Sequence, residues 1–315
     1  MSEFSSHLLL AALSGSDTEA TASWREWRRS VDIQNISWPE LQFIPILNGR
    51  RLDMWLSDDL AAGVLKGIVR RAWSEAQVKL AFAREVEHVL TQAGCASVTV
   101  IGPAGSYLRN LHLQTVRPIS EIRLLIPRQH LPRACEALKA EGWQPCGEIS
   151  RGDGLDWSTH ALFLRGGTGL YLHWRVLNVH APQARECERE FLSDHRIVQA
   201  MGARYRILAP GHALLEILAG RAGHESADVI PWQAEASMVP RDDIDWIRWT
   251  HLAARFQPQA FDRISTLRAM GIDFPVLHRP EVFPSPQPAR WEVLRTCKRR
   301  AGRWARRLLA VLERN

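Results

Sequence analysis

Residues 98–127 read VTVIGPAGSYLRNLHLQTVRPISEIRLLIP, and the rest of the chain is organised around them. Val98, Val100 and Ile101 form a β-branched run that stops at Gly102-Pro103, a strong local break. Tyr107, Leu108, Leu111 and Leu113 follow at rough helical spacing, so a short helix is expected after a tight glycine turn. An Arg117-Pro118 corner then leads into a second strand, residues 121–127. Side chains two apart on a strand point the same way, which puts Glu121 and Arg123 on one face. Two charges at the mouth of an apolar strand are the most informative feature of the sequence.

This stretch resembles the core of the bacterial nucleotidyltransferase family. That core reads leucine-leucine-Lys-Gly, a short helix, Arg-Pro, then Asp-x-Asp before an apolar strand ending in Pro. Gly102, Arg117 and Pro118 match it, whereas the lysine position reads Ile101 and the two aspartate positions read Glu121 and Arg123. In the family pattern the aspartates hold the metal ions that carry a nucleoside triphosphate, since an Mg²⁺ pair clamps the attacking and leaving oxygens of phosphoryl transfer. A guanidinium at a metal-ligand position repels the ion. Residues 170–175, LYLHWR, resemble the family's Glu-leucine-His-Trp strand, with His173 and Trp174 matching and Tyr171 standing where a third carboxylate is implied. More loosely, two family histidines fall at Glu216 and Gly220.

The resemblance implies an α+β fold, a small mixed sheet embedded in helices before and after it. The expected divisions are a helical region 1–94, an α/β core 95–205, a helical region 206–274, a Pro-rich linker 275–289 and a basic tail helix 290–315. Its site residues would be Glu121 as the remaining catalytic carboxylate, with Gly102, Gly105, Ser106, Arg117, Arg123 and His173 at the ligand. A turn of the type Gly-Pro-Ala-Gly-Ser can cradle phosphate at a helix N-terminus, although Gly-Pro between strand and helix is more often only a turn. Arg117 is expected to order the loop before the strand, Glu121 and Arg123 to pair, and His173 to be a core histidine.

Composition bounds the remaining options. The chain has 315 residues, enough for a full core, and its five cysteines include no C-x-x-C pair, which suits a reducing cytoplasm. No apolar run is long enough to cross a bilayer. The net charge of +6 is uneven, because residues 290–315 hold nine Lys/Arg against two Glu, leaving the body near neutral. In that tail Trp291, Leu294, Ala301, Trp304, Leu308 and Val311 make one helical stripe among basic residues. Such a segment fits a protein partner or an anionic membrane surface, giving peripheral attachment. Nucleic acid is disfavoured, since a neutral body offers no basic groove. The thirteen tryptophans sit at helical spacings and read as packing.

Elsewhere the chain reads as mostly helical. Asp17 is the expected cap of a helix carrying Trp24, Trp27 and Val31, and Ser37-Trp38-Pro39-Glu40 starts another. Ser57-Asp58-Asp59 opens a long helix with Leu60, Val64, Ala72, Ala76, Leu80, Ala83, Val86 and Leu90 as its apolar stripe, closed by Gly94. Strands around the turn 166–169 form a hairpin. Residues 181–202 read as a charged connector with a short helix, 213–222 as a helix, 223–239 as a polar loop, and 244–256 and 257–270 as helices. The reading favoured by these residues is a degenerate family member that binds a nucleoside triphosphate, a phosphate or a protein partner without nucleotidyl transfer. One alternative is an active, Mg²⁺-dependent enzyme using Glu121 with unaligned carboxylates such as Asp153 or Asp156. Another is a scaffold that docks through its tail.

Overall fold

In the computed structural model the quoted stretch folds as its pattern dictates. Strand β1 (Thr99–Ile101) turns at Gly102 into helix α6 (Gly102–Arg109), and the chain returns as β2 (Ile122–Leu125). The structure describes residues 3–50, 52–57, 59–113, 117–147, 149, 155, 158–179, 181–219 and 232–279. Residues 1–278 form one compact unit and 279–315 a second. The predicted tail helix, most of the linker, Asp153, Asp156, Gly220 and Cys297 therefore lie outside the described residues.

Ahead of β1 come α1 (Glu3–Ser14), α2 (Asp17–Ser30), α3 (Trp38–Leu47), α4 (Leu52–Trp55) and the long α5 (Ala62–Gln92). After β2 follow α7 (Leu131–Ala140), β3 (Gln144–Pro145), β4 (His160–Arg165), β5 (Thr168–His173), α8 (Ala181–Ser193), β6 (His195–Ala200) and β7 (Ala203–Leu208). The chain continues through α9 (Pro210–Ala219), α10 (Trp232–Ser237), α11 (Trp246–Phe256) and α12 (Ala260–Ala269). The seven strands make one mixed sheet in the order β3-β4-β5-β2-β1-β7-β6. β1 pairs antiparallel with β2 and parallel with β7, and β2 pairs parallel with β5. β2 is thus interior, and all four of its residues are buried, as expected for a strand covered on both faces.

One sheet face, with Val100, Ile122, Leu124, Leu170 and Leu172, packs against α5, α6 and α7. The other, with Ile101, Leu125 and Leu208, packs against α8, α9, α11 and α12. A third core gathers Leu9, Trp24, Trp27, Phe43 and Leu47 from the first helices with Leu65 of α5 and Ala234 of α10.

Local chemistry sets the boundaries. Ser16, not Asp17, caps α2, in a reciprocal box with Glu19; serine accepts from the helix while the glutamate three residues on reaches back. At α3 the Ser37 N–H donates to Glu40 Oε2 at 3.2 Å, and Glu40 Oε1 also accepts from Trp27 Nε1 at 3.0 Å. Asp59 does not cap α5. Its Oδ1 accepts the Ala61 N–H at 2.8 Å, and its carboxylate takes the Arg28 fork at 2.6 and 2.9 Å. The helix then begins at Ala62, so Leu60 and Val64, expected in the stripe, are exposed while Leu65 begins the buried series. The hairpin turn is the two residues Gly166-Gly167, both at positive φ, which matches strand twist; β5 then runs from Thr168 to His173.

Further along, the connector at 181–202 is the helix α8 followed by the strand β6, and β7 spans the boundary expected at 205. The polar loop contains α10 at 232–237. Asp245 caps α11 by accepting the Arg248 N–H at 3.0 Å, and Ile247 on this helix is exposed.

Candidate functional site

The register of β2 fixes the site. Arg123 lies opposite Ile101 of β1 on one side and Tyr171 of β5 on the other. Alternation then puts Glu121, Arg123 and Leu125 on one face, in rows with Ile101 and Tyr171. Gly102 follows at φ +63, the left-handed region that glycine enters without strain, and swings the chain into α6.

Glu121 and Arg123 are paired. One carboxylate oxygen, Oε1, accepts from Arg123 Nε at 2.7 Å and also from Nη2. Each residue is 8% exposed. The arginine stem lies on the glycine turn, since a side-chain carbon at Gly102 would stand 2.7 Å from Arg123 Cδ. Glycine is required twice there, for its backbone angle and for this close approach. The guanidinium carbon sits 5.8 Å from the Tyr171 ring centroid, a cation–π distance. Burial raises the Tyr171 hydroxyl above its ordinary value; the Glu121 charge adds to this and Arg123 opposes it. A cation beside the positive end of a helix is unfavourable by itself, and Glu121 compensates it.

The other expected residues divide by position. Gly105 lies inside α6, where an added side-chain carbon would meet the Val100 carbonyl at 2.9 Å. Its role in this packing is to let the helix lie on β1. Ser106 is buried and its carbonyl accepts from Asn110 Nδ2 at 2.9 Å. Of the two glycines in this turn, Gly102 is the one that lies against Arg123. Arg117 is fully buried and donates from Nε to Glu235 Oε1 at 2.7 Å and from Nη1 to the Pro118 carbonyl. It orders the approach to β2, as expected, and its geometry is that of a brace. His173 is buried opposite Leu125, two register positions from Arg123, with its ring 5.0 Å from that of His160. Glu216 lies on α9, where its charge and that of Glu235 act on Arg109, whose guanidinium burial pulls down to about 10.

Sequence reasoning missed Glu235 and His160. Glu235 is 118 residues from Arg117, with no local signal. His160 was legible as a hairpin residue, but only the register His160↔His173 brings it to the site.

The family's metal does not fit these residues. Among the described residues, the strand-face carboxylate Glu121 is bonded to the guanidinium of Arg123, which stands where the resemblance implies a second metal ligand. No group of three or more His, Cys, Asp or Glu able to hold a metal ion occurs among the described residues. What the arrangement offers instead is a fixed positive charge beside a glycine turn and a helix N-terminus.

No curated protein matches the chain. A family profile does, described as uncharacterised nucleotidyltransferase, over residues 60–265, from the start of α5 to α12. That span contains the whole sheet, the glycine turn and the Glu121–Arg123 pair, and it covers more than half of the sequence. The chain belongs to this nucleotidyltransferase family.

Proposed function

We propose that this protein uses the nucleotidyltransferase fold to bind a phosphate-bearing ligand, a nucleoside triphosphate foremost, without Mg²⁺-dependent nucleotidyl transfer. The observation that carries the proposal is the Arg123 guanidinium, held by Glu121 and laid on Gly102 at the strand position of a metal ligand. A guanidinium is a planar cation that hydrogen-bonds phosphate oxygens directly. It supplies the charge neutralisation of a metal, but it does not position and activate an acceptor oxygen as a metal pair does. Losing that clamp removes several kcal/mol, on the order of 3 or more, of transition-state stabilisation.

The testing experiment is incubation of the full chain with α-labelled nucleoside triphosphates, Mg²⁺ or Mn²⁺ and a panel of hydroxyl and amine acceptors. The expected result is no label transfer above background. Turnover at an ordinary enzymatic rate, about 1 s⁻¹ or more, overturns the proposal.

A further inference from the structure

The Glu121–Arg123 pair uses its donors and acceptors unevenly. Both Nε and Nη2 of Arg123 converge on one oxygen of Glu121. Among the described residues, Arg123 Nη1 and Glu121 Oε2 make no hydrogen bond, and neither is a sealed atom. A guanidinium edge binds best when two acceptor oxygens lie side by side, one for each N–H. Glu121 offers one, so the internal bond is poorer than the one a phosphate group can make. The site is also biased towards anions by the N-terminus of α6, where Gly102 leaves no side chain between the helix end and Arg123.

Resting on the reading of this site as a phosphate seat, we infer that Glu121 is a built-in competitor. Its carboxylate occupies the Arg123 guanidinium in the free protein and must be displaced by an incoming anion. The exchange is non-covalent: the phosphate oxygens take the Nε and Nη hydrogens, and the Glu121 carboxylate moves out to water. Because the competent state is only a fraction of the free protein, every anion's apparent affinity falls by that same fraction. The consequence is a threshold. Weak single anions such as inorganic phosphate fall below useful affinity, whereas polyphosphates, with more charges and more oxygens, still bind. The pair also explains why a buried arginine can be kept here at all, since the free seat never holds an uncompensated charge.

The test is calorimetric titration of the full chain with inorganic phosphate, pyrophosphate and triphosphate, in EDTA and at fixed ionic strength, for the natural protein, Glu121→Gln and Glu121→Asp. Glu121→Gln keeps the shape and removes the charge, and all three probes should bind about tenfold tighter or more. Glu121→Asp keeps the charge but is one methylene shorter, so it reaches the guanidinium poorly and should tighten binding by an intermediate factor. If the aspartate variant matches the natural protein, Glu121 acts only by long-range repulsion and the competitor idea is overturned. Binding by the natural protein with no gain in Glu121→Gln overturns it as well, while leaving the phosphate seat intact. No binding by any of the three proteins, each shown folded by a cooperative thermal melt, overturns the phosphate seat itself. Should Glu121→Gln fail to fold, the aspartate variant still decides the question.

Discussion

Arg117 and Arg123 are buried arginines on either side of the start of β2, and their partners predict opposite responses to substitution. Arg117 is fully enclosed with Glu235. Arg117→Met strands a buried carboxylate and should cost about 3–5 kcal/mol in urea unfolding. A loss under about 1 kcal/mol would show that water or another group replaces the arginine. Arg123→Asp is a different experiment, because it restores two carboxylates to one strand face. It should create an Mg²⁺-dependent rise in melting temperature that the natural protein lacks; no metal response would mean that the backbone no longer holds the ligand geometry. His212 reports on the helices packed against the sheet face that also carries Arg123. It is buried at the start of α9, its Nδ1 is 3.5 Å from Asp194 Oδ2, and its Nε2 has no hydrogen-bond partner among the described residues. Burial lowers its pKa below the ordinary 6.5; Asp194 and Glu190 oppose this and Arg248 adds to it. The unfolded state therefore binds more protons between the two values, so this histidine's contribution is complete above about pH 6.5 and declines as pH falls below it. His212→Leu should flatten that part of the stability–pH curve, and an unchanged slope would assign it to other groups.

At the scale of elements, what was legible depended on short-range chemistry. Ser37 with Glu40, Gly94 after α5 and Gly166-Gly167 in the hairpin announce a cap, a stop and a turn in the residues themselves. The strands β6 and β7 were missed for a physical reason. No residue of β6 is fully buried, so it reads as part of the charged connector 181–202, and in β7 the buried Tyr205 and Ile207 alternate with Arg204 and Arg206. The turn between them is Met201-Gly202, with Met201 at φ +51, and methionine is not a residue that signals a left-handed turn. That strain is removable. Met201→Asn should stabilise the protein by about 0.5–1 kcal/mol, since asparagine tolerates this region better. A destabilised variant would show that the partly exposed methionine side chain packs more usefully than its backbone costs. The start of α5 was misplaced because Asp59 looks like a cap, yet its carboxylate is bonded to Arg28, 31 residues away.

For the whole molecule, the resemblance carried by residues 98–127 implied a mixed sheet set among helices, while the strands β6 and β7 and the joins did not follow from it. The brace from Arg117 to Glu235 and the row Ile101–Arg123–Tyr171 exist only after strands from three parts of the chain come together. No described helix is long and apolar enough to cross a membrane. The basic tail expected at residues 290–315 lies outside the described residues. Its charge pattern predicts salt-sensitive binding to anionic lipid vesicles that is lost on deletion of residues 290–315, with the cooperative melt of the remainder preserved. A deletion that unfolds the remainder would make the tail a part of the core.

At the proposed ligand seat the positive charge belongs to the protein and not to a metal. Calorimetric titration of the natural protein with a nucleoside triphosphate, in EDTA and then in excess Mg²⁺, tests it most directly. Binding is expected in EDTA with an affinity that Mg²⁺ leaves within about threefold or weakens, because the metal masks the phosphate charge that Arg123 recognises. Binding that is absent in EDTA and appears with Mg²⁺ would contradict it.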